Sequence, residues 1–292
     1  MKREMMNTFS RWIQKPSRRS GSAMISFAIL AMWATAGAHT TLAEQSAQQT
    51  FASAGEASQS LFQAVQHNNA QAIAGILGGS TDLASCGDKA QDQADRELFV
   101  KKYQEMHRLG READGSVTLY IGAENWPFPI PLVEKNGAWR FDADAGQREV
   151  LYRQIGENEF TAIAISHDFV AAEKQYRAQP NNANPEDSFP ASLVAKAAGE
   201  SVSSDPVLFH GYYFQVLAIS PAKGTRPTAE DKTPGVFALI AYPAKYRSSG
   251  VMTFVVTNND VVYQKDLGAN TSALASAMTT FHQDASWHTA AE

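Results

Sequence analysis

Residues 117–141, VTLYIGAENWPFPIPLVEKNGAWRF, decide the fold class of this chain. Apolar and polar residues alternate over residues 117–121, a pattern that is typical of a half-buried strand. Asn136-Gly137 is the pair that a type I′ turn prefers, and the resulting hairpin register sets Leu132 opposite Phe141. Because these strands lie between segments of helical periodicity, the sequence predicts an α+β fold.

Helical periodicity flanks the strands on both sides. Upstream, apolar residues recur at helical spacing in two helices between Ala47 and Leu77, interrupted at Asn68-Asn69, and in a third helix over about Ala94 to Leu109. Downstream, the longest predicted helix covers about Gln147 to Ala178. Asn158 is the one polar member of its apolar stripe, so we expect Asn158 to be a buried structural residue that bridges to a nearby loop.

A β-rich half follows the long helix. Residues 179–206 are rich in Pro, Asn and Ser, so we interpret them as a linker or exposed loop. Beyond them the sequence predicts a β-meander with strands over residues 208–219, 236–242, 251–257 and 261–265. A closing helix is predicted from the spacing of three apolar residues behind two cap candidates: Leu274, Met278 and Phe281, with Asn270 and Thr271.

The first 43 residues predict a secretory signal peptide. A basic segment ends at Arg18-Arg19 and precedes an uncharged stretch, AMISFAILAMWATAGA, which is shorter than the roughly 20 residues of a membrane-spanning helix. Cleavage is expected after Ala43, with Ala38 as the alternative, so the mature protein is expected in the periplasm without a membrane span. The paired arginines leave twin-arginine export open as the route.

Charge and cysteine content exclude several function classes. The first 43 residues hold six basic side chains and one acidic one, and the remaining chain has 19 basic and 29 acidic side chains. An acidic body repels phosphate backbones, so nucleic acid is not an expected partner. The chain has one cysteine, Cys86, which excludes an internal disulfide and a multi-cysteine metal site.

No strong catalytic motif occurs in the sequence. It contains no phosphate-binding glycine loop, no paired-histidine metal motif and no serine nucleophile elbow, so we expect a non-catalytic protein without metal or cofactor. One enzymatic alternative is an envelope hydrolase in which Glu159 acts with His167, just over two helical turns away, or with Asp142. Asp142 and Asp144, on one side of the predicted strand, are a further candidate carboxylate pair.

The segment Trp126-Pro127-Phe128-Pro129-Ile130-Pro131 suggests a contact surface. Prolines at every second position remove backbone donors, so the segment cannot form a central strand. Its apolar side chains either stand on a rigid exposed rim or pack inward. We interpret them as part of a binding surface with the tyrosines of HGYYF, namely Trp126, Phe128, Ile130, Tyr212 and Tyr213.

Several blocks of the sequence together resemble a family of exported bacterial proteins, domain-of-unknown-function family 2950. The resemblance extends from about Phe51 to Trp287, and its blocks are SCGDKAQDQADRELFVKKYQEMHRL, GAENWPFPIPLV, GAWRFDADAGQREVLYRQIGENE, HGYYFQVL and GVMTFVVTNNDVVYQKDLG. It implies a periplasmic protein with a signal peptide and transfers no catalytic residue. The helices and hairpin of the first half also loosely resemble the cone-shaped fold of nuclear-transport-factor-2-like domains.

The expected organisation therefore has four parts. They are a signal peptide at 1–43, a helical and hairpin α+β subdomain at 44–178, a linker at 179–206, and a β-meander with a closing helix at 207–292. The expected function is binding or scaffolding in the cell envelope, with an envelope protein or a small ligand as partner.

Overall fold

The structure, a computed structural model, describes residues 48–79, 83, 85, 88–178, 190–194, 205–219 and 237–290. The expected signal peptide and Cys86 lie outside these residues. Across the described ranges, no helix combines the length and the apolar character needed to cross a membrane. The chain divides into two compact units between Val150 and Leu151, so each unit has its own core.

The described part of the first unit combines helices with an antiparallel sheet. The sheet has the order β1-β2-β4-β5, and β3 also pairs with β2. The elements are α1, Ala54–Gln66; α2, Ala70–Ile76; α3, Lys89–Glu105; β1, His107–Arg111; β2, Val117–Ile121; β3, Trp126–Pro127; β4, Leu132–Lys135; and β5, Ala138–Phe141.

Local sequence signals in this unit are confirmed at two places. The hairpin pairs Leu132 with Phe141, as its turn chemistry predicts. Asn136 and Gly137 have φ of 55° and 77°, the left-handed conformation that a type I′ turn requires. The two predicted N-terminal helices are also present, separated by Asn68 and Asn69.

The predicted bounds of the third helix are wrong. We expected it over about Ala94 to Leu109, whereas α3 begins at Lys89 and ends at Glu105. It begins earlier because the Asp88 carboxylate accepts hydrogen bonds from the backbone amides of Ala90 and Gln91. It ends earlier because Leu109 belongs to β1, where it pairs with Leu119 of β2.

The described part of the second unit packs one long helix and shorter helical segments with a seven-stranded sheet. That sheet has the order β11-β7-β8-β9-β10-β12, and β6 also pairs with β7. Its elements are α4, Ala143–Ala178, from Leu151 onward; β6, Val207–Phe209; β7, Tyr212–Ile219; β8, Phe237–Pro243; β9, Met252–Val256; β10, Val262–Asp266; a 3-10 turn, Gly268–Asn270; α5, Thr271–Ser276; β11, Thr280–Phe281; and β12, His288–Thr289.

The sheet of the second unit has a core on each face. Ala162 and Phe169 of α4 pack with Phe214 and Phe254 on one face. On the other face, Ala275, Phe281 and Trp287 pack with Leu217 and Val255, among others. Helix α4 therefore covers one face of the sheet. The C-terminal segment that contains Ala275, Phe281 and Trp287 covers the other face.

The predicted first strand of the meander is a hairpin. We expected one strand over residues 208–219, but His210 and Gly211 form a turn with φ of 44° and 76° between β6 and β7. The turn folds β6 back onto β7, pairing Phe209 with Tyr212. Apolar and aromatic residues lie on both sides of the turn, so the segment resembles one continuous apolar strand.

The predicted closing helix is also wrong in length. Helix α5 ends at Ser276, and Phe281 lies in β11, which pairs with β7 in parallel. Leu274 is half exposed, and Thr271 and Ala275 are the buried residues of the helix instead. Asn270 makes no capping hydrogen bond through its side chain.

The segment interpreted as a linker contains structure in the part that is described. Residues 190–194 are helical, and Leu193 and Val194 are buried in the core that contains Phe169. This burial corrects the interpretation of these residues as exposed loop. The remaining residues of the expected segment lie outside the described ranges, apart from Asp205 and Pro206.

Candidate functional site

A cluster of polar side chains in the second unit connects α4 with two other parts of the chain. It joins residues 156–159 of α4 to the start of β7 and to the loop before β9. We call the side chains of Asn158, Glu159 and Tyr212, together with the backbone they bind at residues 249–252, the α4 clamp.

Asn158 forms the first link of the clamp. Its side chain is 5% exposed, and Nδ2 donates a hydrogen bond of 2.9 Å to the carbonyl oxygen of Ser249. The structure thus places Asn158 in the buried, bridging position expected for it. An amide on an otherwise apolar helix face requires such a partner, because an unpaired buried donor is costly.

Glu159 forms the second link. Its Oε1 accepts hydrogen bonds from the backbone amides of Val251 and Met252, at 2.8 and 3.0 Å. These two amides precede and begin β9, so the carboxylate anchors the entry of that strand to α4. A charged acceptor that binds two backbone donors is among the stronger hydrogen-bond arrangements.

Tyr212 completes the clamp from β7. Its hydroxyl donates to the carbonyl oxygen of Met252 at 2.9 Å and lies 3.5 Å from Glu159 Oε1. Burial raises the pKa of the Tyr212 phenol far above its ordinary value, and the nearby charge of Glu159 raises the pKa further. The phenol therefore stays neutral and serves as a hydrogen-bond donor.

Two glycines allow the clamp to close. A Cβ atom at Gly250 would lie 2.1 Å from the Tyr212 hydroxyl oxygen. At Gly211, φ is +76°, and a Cβ would lie 2.9 Å from Asn158 Nδ2. The close approach of helix, strand and loop therefore requires glycine at both positions.

The residues of the predicted hydrolase have separate partners. Glu159 binds the backbone of β9, while His167 Nδ1 lies 2.7 Å from Asp260 Oδ1. Asp142 belongs to the first unit, where its Oδ1 accepts from the Ala145 amide at the start of α4. Asp144 lies within the first turn of α4, so the predicted placement of Asp142 and Asp144 on one strand is wrong.

His167 and Asp260 line a shallow cleft of about 220 Å³ in the second unit. The other lining residues are mostly apolar, with one hydroxyl, namely Ile163, Val261, Val262, Thr289 and Ala290. A carboxylate on Nδ1 orients an imidazole and leaves Nε2 to accept a proton or a hydrogen bond. Among the described residues, no group of three or more His, Cys, Asp or Glu side chains could hold a metal ion.

The proline-rich segment does not form the exposed rim that we expected. Phe128 and Ile130 are each 2% exposed and belong to the core of the first unit. The Phe128 ring makes edge contacts with the rings of Phe99 and Phe141. The prolines prevent regular strand pairing after Pro127. The segment packs inward instead, because this buries its apolar side chains in the core.

The remaining members of the expected surface are also largely covered. Trp126 is half-buried and packs against the core of the first unit. Tyr212 is fully buried in the clamp, and Tyr213 lies next to Tyr242 on the opposite sheet face, with ring centroids 5.5 Å apart. These five residues are divided between the two units, so within either unit they form no single surface.

Two exposed aromatic residues on α4 were missed by the sequence reasoning. Tyr152 is 64% exposed and Phe160 is 51% exposed. Gly156 lies midway between them, and a Cβ built on it would meet no atom within 4 Å. We call Tyr152, Gly156 and Phe160 the aromatic ridge. Their spacing of four residues, outside the apolar stripe of the helix, was a signal that could have identified the ridge.

Comparison with known proteins assigns the chain to one protein family. The family model described as "Protein of unknown function (DUF2950)" matches residues 48–200 and 180–290. No curated protein and no solved structure matches the chain significantly. The likeness of the first half to nuclear-transport-factor-2-like domains therefore stays a prediction.

Proposed function

The chain belongs to the DUF2950 family, and for this member we propose a non-catalytic binding or scaffolding role in the bacterial periplasm. The observation that carries the proposal is the use of Glu159. Its Oε1 is occupied by two backbone amides, so this carboxylate stabilises the fold. A general acid or base must instead have its oxygen within reach of the substrate.

The aromatic ridge supports the binding role. Aromatic side chains contribute much of the affinity at protein interfaces, because they bury a large area at a small entropic cost. Tyr152 and Phe160 offer this area on a rigid helix that its own core holds in place. We therefore propose the ridge as the contact surface, in place of the surface expected around Phe128.

Export from the cytoplasm is part of the proposal and rests on the N-terminal sequence. Its basic segment, uncharged stretch and small residues before Glu44 support a cleaved signal peptide. N-terminal sequencing of the protein from osmotic-shock fluid should begin at Glu44. Recovery only in membrane pellets, with Met1 intact, would contradict the proposal.

A hydrolase remains the second candidate, with a different partner for His167. The 2.7 Å contact between His167 and Asp260 in a cleft favours this dyad over the pairs that include Glu159 or Asp142. In such an enzyme, His167 Nε2 would act as the base and Asp260 would orient the ring.

One experiment distinguishes the two functions. The purified chain is incubated with an isolated cell-envelope fraction, and both co-sedimentation and release of soluble fragments are measured. The binding role predicts co-sedimentation that Phe160→Ala reduces and His167→Ala leaves unchanged, without fragment release. Release that depends on His167 would establish the hydrolase instead.

A further inference from the structure

We propose that a cleft between α1 and α3 in the first unit binds the C-terminal carboxylate of a short peptide. The cleft has a volume of about 260 Å³, and we call it the α1–α3 cleft. Its charged side chains are those of Arg96, Glu97 and Lys101. The inference goes beyond the proposed function, because the aromatic ridge belongs to the second unit.

Arg96 carries donors that the fold does not use. Its Nη1 donates a hydrogen bond of 2.8 Å to Asn68 Oδ1. Its Nε is buried and has no hydrogen-bond partner in the part of the chain that the structure describes. In the planar guanidinium group, Nε–H and one N–H of Nη2 point the same way and match the two oxygens of a carboxylate. An unpaired buried donor is costly, so a turn of this side chain toward a bound carboxylate removes that cost.

The charges of the cleft favour a ligand with one negative charge. Glu97 Oε1 accepts a hydrogen bond of 2.7 Å from Gln93 Nε2 rather than pairing with either cation. Neither Arg96 nor Lys101 forms an ion pair with any of the described residues. Two cations beside one carboxylate leave one positive charge in excess. A peptide C-terminus balances this excess, whereas a free amino acid brings an ammonium group that cancels its own carboxylate.

Amide side chains around the cleft supply partners for a peptide bond. Asn68 Nδ2 donates to Gln93 Oε1, and this contact holds both side chains beside Arg96. Gln66 and Gln104 also line the cleft, and neither side-chain amide hydrogen-bonds to a residue within the described ranges. Because an amide side chain has both donors and an acceptor, it matches the N–H and C=O groups of a peptide. These groups favour a peptide over a simple organic acid.

The size of the cleft restricts the ligand to the end of a peptide. Its volume is below the roughly 300–1,000 Å³ of pockets that hold drug-sized ligands, so about one or two small residues fit. Val65 and Val100 line the cleft beside the polar groups and favour small apolar side chains in the ligand. So small a contact predicts weak binding, with a dissociation constant of about 0.1–1 mM.

A matched pair of peptides tests the ligand class. The purified chain, labelled with ¹⁵N, is titrated with acetyl-alanyl-alanine and with the same peptide carrying a C-terminal amide, and NMR shifts are measured. The acid should give saturable shifts, and the amide should bind about tenfold or more weakly, because it lacks the negative charge and one acceptor oxygen. No saturable shift up to about 10 mM of the acid, or equal binding of acid and amide, would overturn the proposal.

Variants of the two cations test the site. Arg96→Lys keeps the positive charge but removes the paired donors, so the dissociation constant of the acid should rise about tenfold or more. Lys101→Gln removes the second cation and should raise it about threefold. Lys89→Gln is the matched control, because Lys89 is an exposed cation at the start of the same helix and does not line the cleft. Affinity that is the same in all three variants would overturn the proposal.

A purely structural role of Arg96 predicts a different result. Through Asn68, Arg96 also joins α3 to the end of α1, so thermal unfolding of Arg96→Lys is measured without ligand. If the unfolding temperature falls but the affinity for the acid is unchanged, Arg96 is structural and the proposal is wrong. Gln104→Glu provides the test if Arg96→Lys does not fold. It adds a negative charge at an exposed position of the cleft, so the acid should bind about threefold or more weakly, and unchanged affinity would overturn the proposal.

Discussion

The side-chain amide of Asn158 donates a hydrogen bond to the carbonyl oxygen of Ser249, 91 residues further along the chain. Asn158→Leu keeps a side chain of similar length but leaves this carbonyl without its donor. We expect a loss of about 1–3 kcal/mol in the free energy of unfolding, measured by urea denaturation. Asp168→Leu, at an exposed site on the same helix, is the control. An unchanged midpoint for Asn158→Leu would refute the structural role.

Glycine substitutions should have opposite effects at two sites of the second unit. Gly250→Ala places a methyl group 2.1 Å from the Tyr212 hydroxyl oxygen, so we expect destabilisation by about 1–3 kcal/mol. Gly156→Ala occupies open space within α4 and should stabilise the chain by about 0.5–1 kcal/mol at low protein concentration. Thermal unfolding of both variants measures the difference, and a neutral Gly250→Ala would mean that the clamp is looser than the structure shows.

Phe128→Ala should cost about 3–5 kcal/mol of folding stability, because the ring is buried between Phe99 and Phe141. The exposed aromatic Tyr152 offers the matched control, since Tyr152→Ala should change stability by less than about 0.5 kcal/mol. Denaturant titration of the two variants compares them directly. If both variants change the free energy of unfolding by equally small amounts, Phe128 lies on the exposed rim that its sequence context suggested.

Alkaline pH should destabilise the chain in part through Tyr212. Burial and the charge of Glu159 raise the pKa of this phenol in the folded state, so the folded chain retains a proton that the unfolded chain loses above about pH 10. The contribution of Tyr212 to the free energy of unfolding is therefore fully present below that pH. It decreases as the pH rises further, by up to about 1.4 kcal/mol per pH unit for one group.

Tyr212→Phe isolates this contribution. The variant loses the hydrogen bond to Met252 at every pH, so it should be less stable near neutrality. Its stability should also decrease less steeply than that of the parent above about pH 10, because one titrating group is gone. Parallel slopes for parent and variant in that pH range would exclude Tyr212 as a source of the alkaline loss.

Most elements of the fold could be predicted from the sequence, but their ends often could not. The early start of α3 depends on Asp88, whose carboxylate accepts hydrogen bonds from two backbone amides. These amides precede the residues at which the apolar periodicity of the helix begins. The β6–β7 turn at His210-Gly211 interrupts a segment with apolar and aromatic residues on both sides. Boundaries of this kind depend on single hydrogen bonds and on single φ values. Apolar periodicity is a pattern over many residues, so it does not show such local features.

The candidate site was predictable in part. Asn158 was identified because a polar residue on an apolar stripe needs a partner. Its partner Ser249, and the amides that bind Glu159, were not predictable, since nothing local relates α4 to a loop about 90 residues away. The aromatic ridge lies outside the buried stripe of α4, so the periodicity that predicts the core does not include its residues.

The sequence by itself determined the α+β class, the type I′ hairpin with its register, and the presence of a long amphipathic helix. These features follow from the side-chain period and from turn chemistry, which act over a few residues. Only the tertiary structure decided that Phe128 is core, that Glu159 anchors β9, and that His167 pairs with Asp260. Each of these outcomes depends on which distant residues fill the space around a side chain, and burial and hydrogen bonding are properties of that packing rather than of the local sequence.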